Sequence, residues 1–381
     1  MLQLIKNARL FAPEEQGICD ILIAHGKFAA IGPALDFRME GMPTIDAEGK
    51  YVLPGLIDQH IHIAGAGGKD GFASMTTEIP VEDLIRCGTT TAVGLLGTDG
   101  TIRSIRALYG KVQALRQQGL SAYMYSGYYG ADTVTITDSI QSDMVFVEPV
   151  LGFKIAIADI RSSYPTALEL VRKLREVRTG GLLSGKKGIM HVHLGNLPDK
   201  MDLLFELVHD YHFPIAHISP THVGRTKELF AQAMEFAKLG GMIDITTGAS
   251  KYTDPHKTVL LALENGIDIG RLTYSSDGHA GLSKLDESGR QVGFSSAPFH
   301  LNLFETLQLI RQANMSPADA FRLITTNPAA NLGLKNKGHI APGFDADMCW
   351  FDDQWQLQDV FAHGTPVMLN NTITINPSEC L

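Results

Sequence analysis

Four cysteines are all that this chain of 381 residues carries, and they stand far apart at Cys19, Cys87, Cys349 and Cys380 with no Cys-x-x-Cys pair. That spacing argues against a disulfide framework and against a thiolate zinc site, and reduced, structural cysteines are expected. Basic residues are in the minority, 32 Lys and Arg against 41 Asp and Glu for a formal charge of -9. With no Lys/Arg cluster interleaved with aromatics, the footprint of a nucleic-acid partner is missing. No apolar run reaches the roughly 20 residues that cross a bilayer, so no membrane partner is expected. Met1 to Phe11 carries Lys6 and Arg9 but no long apolar core followed by a small-residue cleavage site, which makes the cytoplasm the expected location. Tryptophan occurs only twice, against fourteen histidines. Histidine is the surplus, and it points mildly towards metal or proton chemistry.

The length holds an α/β barrel plus something small. From Leu2 to Val52 short β-like runs, Leu2 to Ile5, Asp20 to Ala24 and Lys27 to Ile31, are separated by turn signals such as His25-Gly26 and Gly32-Pro33. Ile340 to Ile375 resumes that grammar, with Ile340 to Asp347, Met348 to Phe351 and Val360 to Gly364. Residues 1–52 and 340–381 are therefore expected to build one small β-sandwich domain, with residues 53–339 inserted as the catalytic domain.

That insert alternates β-rich and helical runs. Candidate strands lie at Tyr51 to Ile63, Thr89 to Leu96, Ser121 to Tyr128, Phe153 to Ala158, Ile189 to Leu194, Ile215 to Ser219, Met242 to Thr246 and Leu272 to Ser276. Helical patterns at Arg103 to Gln118, Thr166 to Arg178, Lys227 to Leu239 and Leu301 to Gln312 fall between or after them. The fold class is α/β, a (β/α)8 TIM-like barrel, whose functional site belongs at the C-terminal ends of the strands.

Chemistry-bearing residues fall at those ends. The first run closes on His60-Ile61-His62, two imidazoles on one face of a strand that can grip one ion. The fourth offers Lys154, the fifth His191-Val192-His193, the sixth His222 and the eighth Asp277. Core histidines have no reason to prefer one barrel end, so the convergence points to metal binding. Nitrogen and oxygen donors suit zinc but also manganese, cobalt, nickel or iron. An ammonium beside cations is repelled, so Lys154 makes sense there as a neutral amine that has taken up carbon dioxide to become a bridging carbamate. The ordinary alternative is a barrel lysine paired with Asp159 or another acid. His191, one pleat deeper than His193, reads as barrel core, and His217 and His279 as ordinary structural residues, although His279 is near enough to Asp277 to touch substrate. Arg161 and Arg225 each follow a candidate ligand by a few residues and should enter the same mouth, where two guanidinium forks match a small dianionic substrate.

Pro54-Gly55-Leu56-Ile57-Asp58-Gln59-His60-Ile61-His62, the strand lysine, the two single histidines, Ser275-Ser276-Asp277-Gly278 and the closing run from Gly338 to Asp347 resemble the amidohydrolase superfamily. Gly94 to Asp99, Tyr128-Tyr129, Lys154 to Ser162 and Pro220 to Arg225 are most similar to the isoaspartyl dipeptidase (β-aspartyl peptidase) branch in order and spacing. The resemblance implies a hydrolase of amide bonds with two divalent metal ions, zinc foremost. His60, His62 and Asp277 would hold one ion, His193 and His222 the other, and carboxylated Lys154 would bridge them. It implies Asp277 as proton shuttle, Tyr129 as donor to the developing oxyanion, and Gly67, Thr98, Lys69, Gly281, Arg161 and Arg225 around a small acidic peptide-like substrate, in a homo-oligomer. Two positions depart from the family. Lys69 stands where a glutamate holds the substrate ammonium, and Gly281 where a serine hydroxyl helps bind its carboxylate. A deacylase of succinyl-type N-acyl amino acids, a cyclic amidase, and a barrel that has lost its chemistry are the alternatives.

Overall fold

The structure, a computed structural model, describes residues 2–68, 71–132, 134–248 and 251–375. Eight parallel strands pair in sequence order: β1 Leu56–Ile61, β2 Thr89–Gly94, β3 Ser121–Gly127, β4 Val150–Ile157, β5 Ile189–Leu194, β6 Ile218–Thr221, β7 Ile243–Thr246 and β8 Leu272–Ser275. Every residue of these strands but Tyr123 is buried, as expected when helices cover a parallel sheet outside and side chains fill it inside. The seam between β8 and β1 is drawn together by Asp277 N donating to His60 O (3.0 Å) and His62 N donating to Gly278 O (2.9 Å). Candidate site residues thus close the barrel.

The outer helices carry the apolar stripe their sequences show. Ile105–Gln117 buries Ile105, Leu108, Val112 and Leu115, and Ser104 caps it by accepting from Ala107 N. Ala167–Ser184 opens with a capping box between Thr166 and Glu169 and ends on Gly185 in the left-handed region, φ 71°. It runs past Arg178, where the sequence pattern ends, because Gly180 and Gly181 are packing glycines. A Cβ on Gly180 would lie 2.6 Å from Met144 Cβ, in the neighbouring helix Ile140–Phe146.

Both chain ends join one nine-stranded sheet, built from strands within residues 2–54 and 348–373. It curls back on itself, since Phe28 N donates to Phe344 O (2.9 Å) and Gly343 N to Phe28 O (2.8 Å), tying the edge strand Lys27–Gly32 to the run that feeds the central strand Met348–Phe351. Ile5, Ile21, Phe28, Trp350 and Phe361 fill the core so enclosed. The run Ile340 to Asp347, expected to be β-like, holds no strand. Its polar groups are taken up as a clasp instead, in which buried Lys337 meets Asp347 (2.5 Å) and Asp345 (3.0 Å). No helix among the described residues is long and apolar enough to cross a membrane.

Candidate active site

A cleft of about 590 Å³ opens over the C-terminal ends of the strands, lined among others by His62, Gly67, Thr98, Tyr129, Lys154, Arg161, His193, Arg225, Asp277 and Gly281. At its floor Asp277 Oδ1 lies 3.2 Å from His60 Nε2 and 3.2 Å from His62 Nε2. His60, His222 and Asp277 bring one ligand atom each within 4.8 Å of one another, all buried. His60 Nε2 and His222 Nε2 have no hydrogen-bond partner among the described residues. Their other nitrogens are held, His222 Nδ1 by Thr246 Oγ1 (2.6 Å) and His60 Nδ1 by His191 Nε2 (2.7 Å). Burial pushes His60 down to about 4 and His222 well below the usual imidazole value, so both are neutral, as metal coordination requires. His222 (φ 65°) and Asp277 (φ 51°) adopt left-handed backbone, strain that tends to gather at functional sites.

Lys154 is fully buried, its Nζ donating to Leu96 O at 3.0 Å. Burial pushes it down to about 8. No carboxylate among the described residues forms an ion pair with it, and Asp159, its ordinary partner by sequence, is engaged elsewhere. Arg161 donates to Asp159 through Nε (3.0 Å) and Nη2 (2.9 Å), and the Tyr129 hydroxyl donates to Asp159 Oδ2 (2.5 Å). Burial works to raise Asp159, but hydrogen bonds from His193, Arg161 and Tyr129 outweigh it and hold the carboxyl well below its usual range. Burial and Asp159 together push Tyr129 up, so the phenol keeps its proton.

His193 stands near the C-terminal end of β5. Its Nε2 lies 2.7 Å from the Tyr129 hydroxyl and 3.1 Å from Arg225 Nη1, outside the cluster of His60, His222 and Asp277. The rings of His193 and His222 are nevertheless adjacent, with centroids 4.4 Å apart. Arg225 is held in the mouth by donating to Leu194 O (2.7 Å).

The sequence profile of the amidohydrolase family matches residues 51–377. The chain belongs to the amidohydrolase family. Among solved structures it is similar to the beta-aspartyl dipeptidase of Fervidobacterium islandicum AW-1 in complex with beta-Asp-Leu, at 38% identity and TM-score 0.92 over 99% of each chain. Among curated proteins it is 24% identical to a dihydroorotase of Streptococcus pneumoniae, over 92% of this chain and 90% of that one. It is also 24% identical to an adenine deaminase of Geobacillus kaustophilus, where 94% of this chain spans only 56% of the relative's length.

Of the substrate-side residues expected in this amidohydrolase, Gly67, Thr98, Arg161, Arg225 and Gly281 share the one cleft, while Lys69 lies outside the described residues. A Cβ on Gly67 would lie 2.0 Å from Asp99 Cβ, so only glycine fits there. His217 Nδ1 lies 2.7 Å from Gly188 O, and His279 Nδ1 3.0 Å from Thr77 O, both tied to backbone. Sequence reasoning missed three supporting carboxylates. Asp159 braces Tyr129 and Arg161. Asp143 accepts from Ser126 Oγ (2.5 Å) and Thr137 N (2.7 Å), anchoring the loop that follows Tyr129. Asp99 accepts from Arg103 Nε (2.6 Å), while Arg103 Nη1 donates to Ala64 O (2.5 Å) and Nη2 to Thr76 O (2.6 Å), pinning the loop after β1. Asp99 and Asp159 lie in the stretches that carry the family resemblance, where their partners could not be read, and Asp143 gave no signal.

Proposed function

We propose that this amidohydrolase is a metal-dependent hydrolase of the amide bond in a small acidic dipeptide of the β-aspartyl type. The observation that carries this reading is the meeting of Arg161 and Arg225 in one cleft with His62, Lys154, His193 and Asp277, the last of which belongs to the buried cluster with His60 and His222. Two guanidinium groups over a site of neutral imidazoles suit a substrate with two carboxylates, which a cyclic amidase does not need. The Fervidobacterium protein, with its bound beta-Asp-Leu, supports the same class.

His60, His62, His193, His222, Asp277 and Lys154 are the residues that would hold two divalent ions, zinc being the metal best suited to this nitrogen and oxygen set. The unpartnered Nε2 atoms of His60 and His222 fit that role. Bound there, such ions supply Lewis acidity to the scissile carbonyl and acidify a water molecule. Lys154 would contribute as a carbamate: the free amine adds to carbon dioxide and loses one proton, leaving a single negative charge shared by two oxygens. Asp277 takes the proton of the attacking water and passes it to the leaving amine nitrogen. Tyr129, released from Asp159 by the incoming substrate, donates its hydroxyl to the oxygen on which charge develops. Arg161 and Arg225 orient the carboxylates.

Lys69 supports a second reading within the same chemistry, because it stands where the family resemblance implies a glutamate for the substrate ammonium. A lysine repels that ammonium, so acidic amides without one, such as N-succinyl amino acids, are the better substrates on this reading. The test is kcat/KM for β-aspartyl-leucine and N-succinyl-leucine, in the natural protein and in Lys69→Glu, both loaded with metal. We expect both amides to be cleaved and Lys69→Glu to shift preference towards the β-aspartyl compound by about a hundredfold. Cleavage of neither would refute the acidic-amide reading, and an unchanged preference would remove Lys69 as a specificity residue.

A further inference from the structure

His191 lies one pleat below His193 on β5 and is fully buried. Its Nε2 is 2.7 Å from His60 Nδ1, and its Nδ1 is 3.2 Å from Ser219 Oγ on β6. Asn331 Nδ2 donates to that same Ser219 Oγ (2.8 Å) and to Gln59 Oε1 (2.9 Å). The Tyr125 ring stacks on His191 with centroids 4.8 Å apart and 9° between planes, and the Tyr125 hydroxyl donates to Gln59 O (3.2 Å). The imidazole is thus clamped on its face and at both nitrogens. Far more is spent on its orientation than a space-filling core residue needs.

We propose that His191 is a positioning residue: by accepting a hydrogen bond from His60 Nδ1–H, it fixes the His60 tautomer whose Nε2 is free to bind a metal ion. A neutral imidazole has one proton, so the partner of one nitrogen decides the state of the other. With the proton on His60 Nδ1, its Nε2, which is unpartnered and 3.2 Å from Asp277 Oδ1, presents a lone pair. His191 can accept at Nε2 only if its own proton is on Nδ1, and there Ser219 Oγ takes it. Ser219 has a lone pair for His191 and a second for Asn331. The His60 Nδ1 and His191 Nδ1 protons thus each have an acceptor, and both point away from the site. The opposite polarity would place a proton on His60 Nε2, where it would block a cation.

A metal-bound histidine ordinarily gives its second N–H to a carboxylate, a backbone carbonyl or water. Here a neutral ring takes that place and adds no negative charge to the centre. The inference rests on the proposed reading that His60 holds an ion.

His191→Gln and His191→Asn separate the possibilities. Gln places an amide oxygen near the former Nε2 and can still accept from His60, whereas the shorter Asn cannot. Metal affinity is read by competition with a chromogenic chelator on protein shown to be folded, alongside the visible spectrum of the cobalt-loaded form. We expect Asn to weaken binding by about ten- to a hundredfold and to alter the spectrum, and Gln to restore most of both. Natural affinity in the Asn variant, or no rescue by Gln, overturns the proposal. His60→Ala is the control, since undiminished metal binding there overturns the underlying reading instead. Should both His191 variants fail to fold, the cobalt spectrum of Ser219→Ala decides, a change supporting the relay and an unchanged spectrum overturning it.

Discussion

Gly281 opens a strand that enters the cleft, and a Cβ built there meets nothing closer than Gly67 O at 3.7 Å. The room for a side chain is present although the side chain is not, in contrast to Gly67, where Asp99 forbids one. Gly281→Ser is therefore expected to fold normally and, by restoring a hydroxyl beside the substrate carboxylate, to raise kcat/KM for β-aspartyl-leucine about tenfold, the worth of one charge-assisted hydrogen bond. Steady-state kinetics with a thermal melt checks this, and an unchanged kcat/KM at an unchanged Tm would show that the hydroxyl is dispensable. At this scale the residues legible in sequence were those of unusual type at a strand end, such as His60, Lys154 and Asp277. Asp159, Asp143 and His191 were not legible, because their roles are set by partners distant in the chain. Asp159 reaches back thirty residues to Tyr129, and His191 reaches His60 across 131.

Strands and helices were readable wherever one period ran unbroken, and misread where a single residue served a packing purpose. Ile215 to Ser219 was expected as a strand, yet Ile215–His217 forms a 3-10 turn and β6 begins at Ile218, running through Pro220 to Thr221. Proline usually ends a strand, but here it lies within the register, opposite Val192 of β5. The clasp at Lys337 was likewise invisible as an element, since it consists of a lysine and two aspartates in a loop. Lys337 Nζ also donates to Ser121 Oγ (2.6 Å), the first residue of β3, so it ties the terminal sheet to the barrel. Lys337→Met would leave buried Asp347 facing an apolar chain and half-buried Asp345 with Lys27 alone (2.7 Å), and is expected to cost about 3–5 kcal/mol at pH 7. In the natural protein burial works to raise Asp345, but Lys337 helps hold it below its usual value, so its stabilising contribution is present at neutral pH and is lost as pH falls through that lowered value. In the variant Lys27 alone holds Asp345 down, so less of this contribution exists to be lost as pH falls. The deficit should thus narrow between pH 7 and about pH 4.5 in urea denaturation, and an equal deficit at both would contradict the clasp.

Over the whole molecule, the alternation of strand and helix, the split terminal sheet and the placing of the site at one barrel end were all legible in sequence, because each depends on patterns repeated many times. What a repeated pattern does not specify is the fine geometry of the cleft, such as the approach of His193 Nε2 to the Tyr129 hydroxyl (2.7 Å) and to Arg225 Nη1 (3.1 Å). The most direct test is a metal titration of chelator-stripped protein, reading hydrolysis of β-aspartyl-leucine and N-succinyl-leucine against ions bound per chain. No turnover is expected in the stripped protein, with a rise to a plateau at two ions per chain. Turnover that survives complete stripping, or a protein that holds two ions and cleaves neither amide, would contradict it.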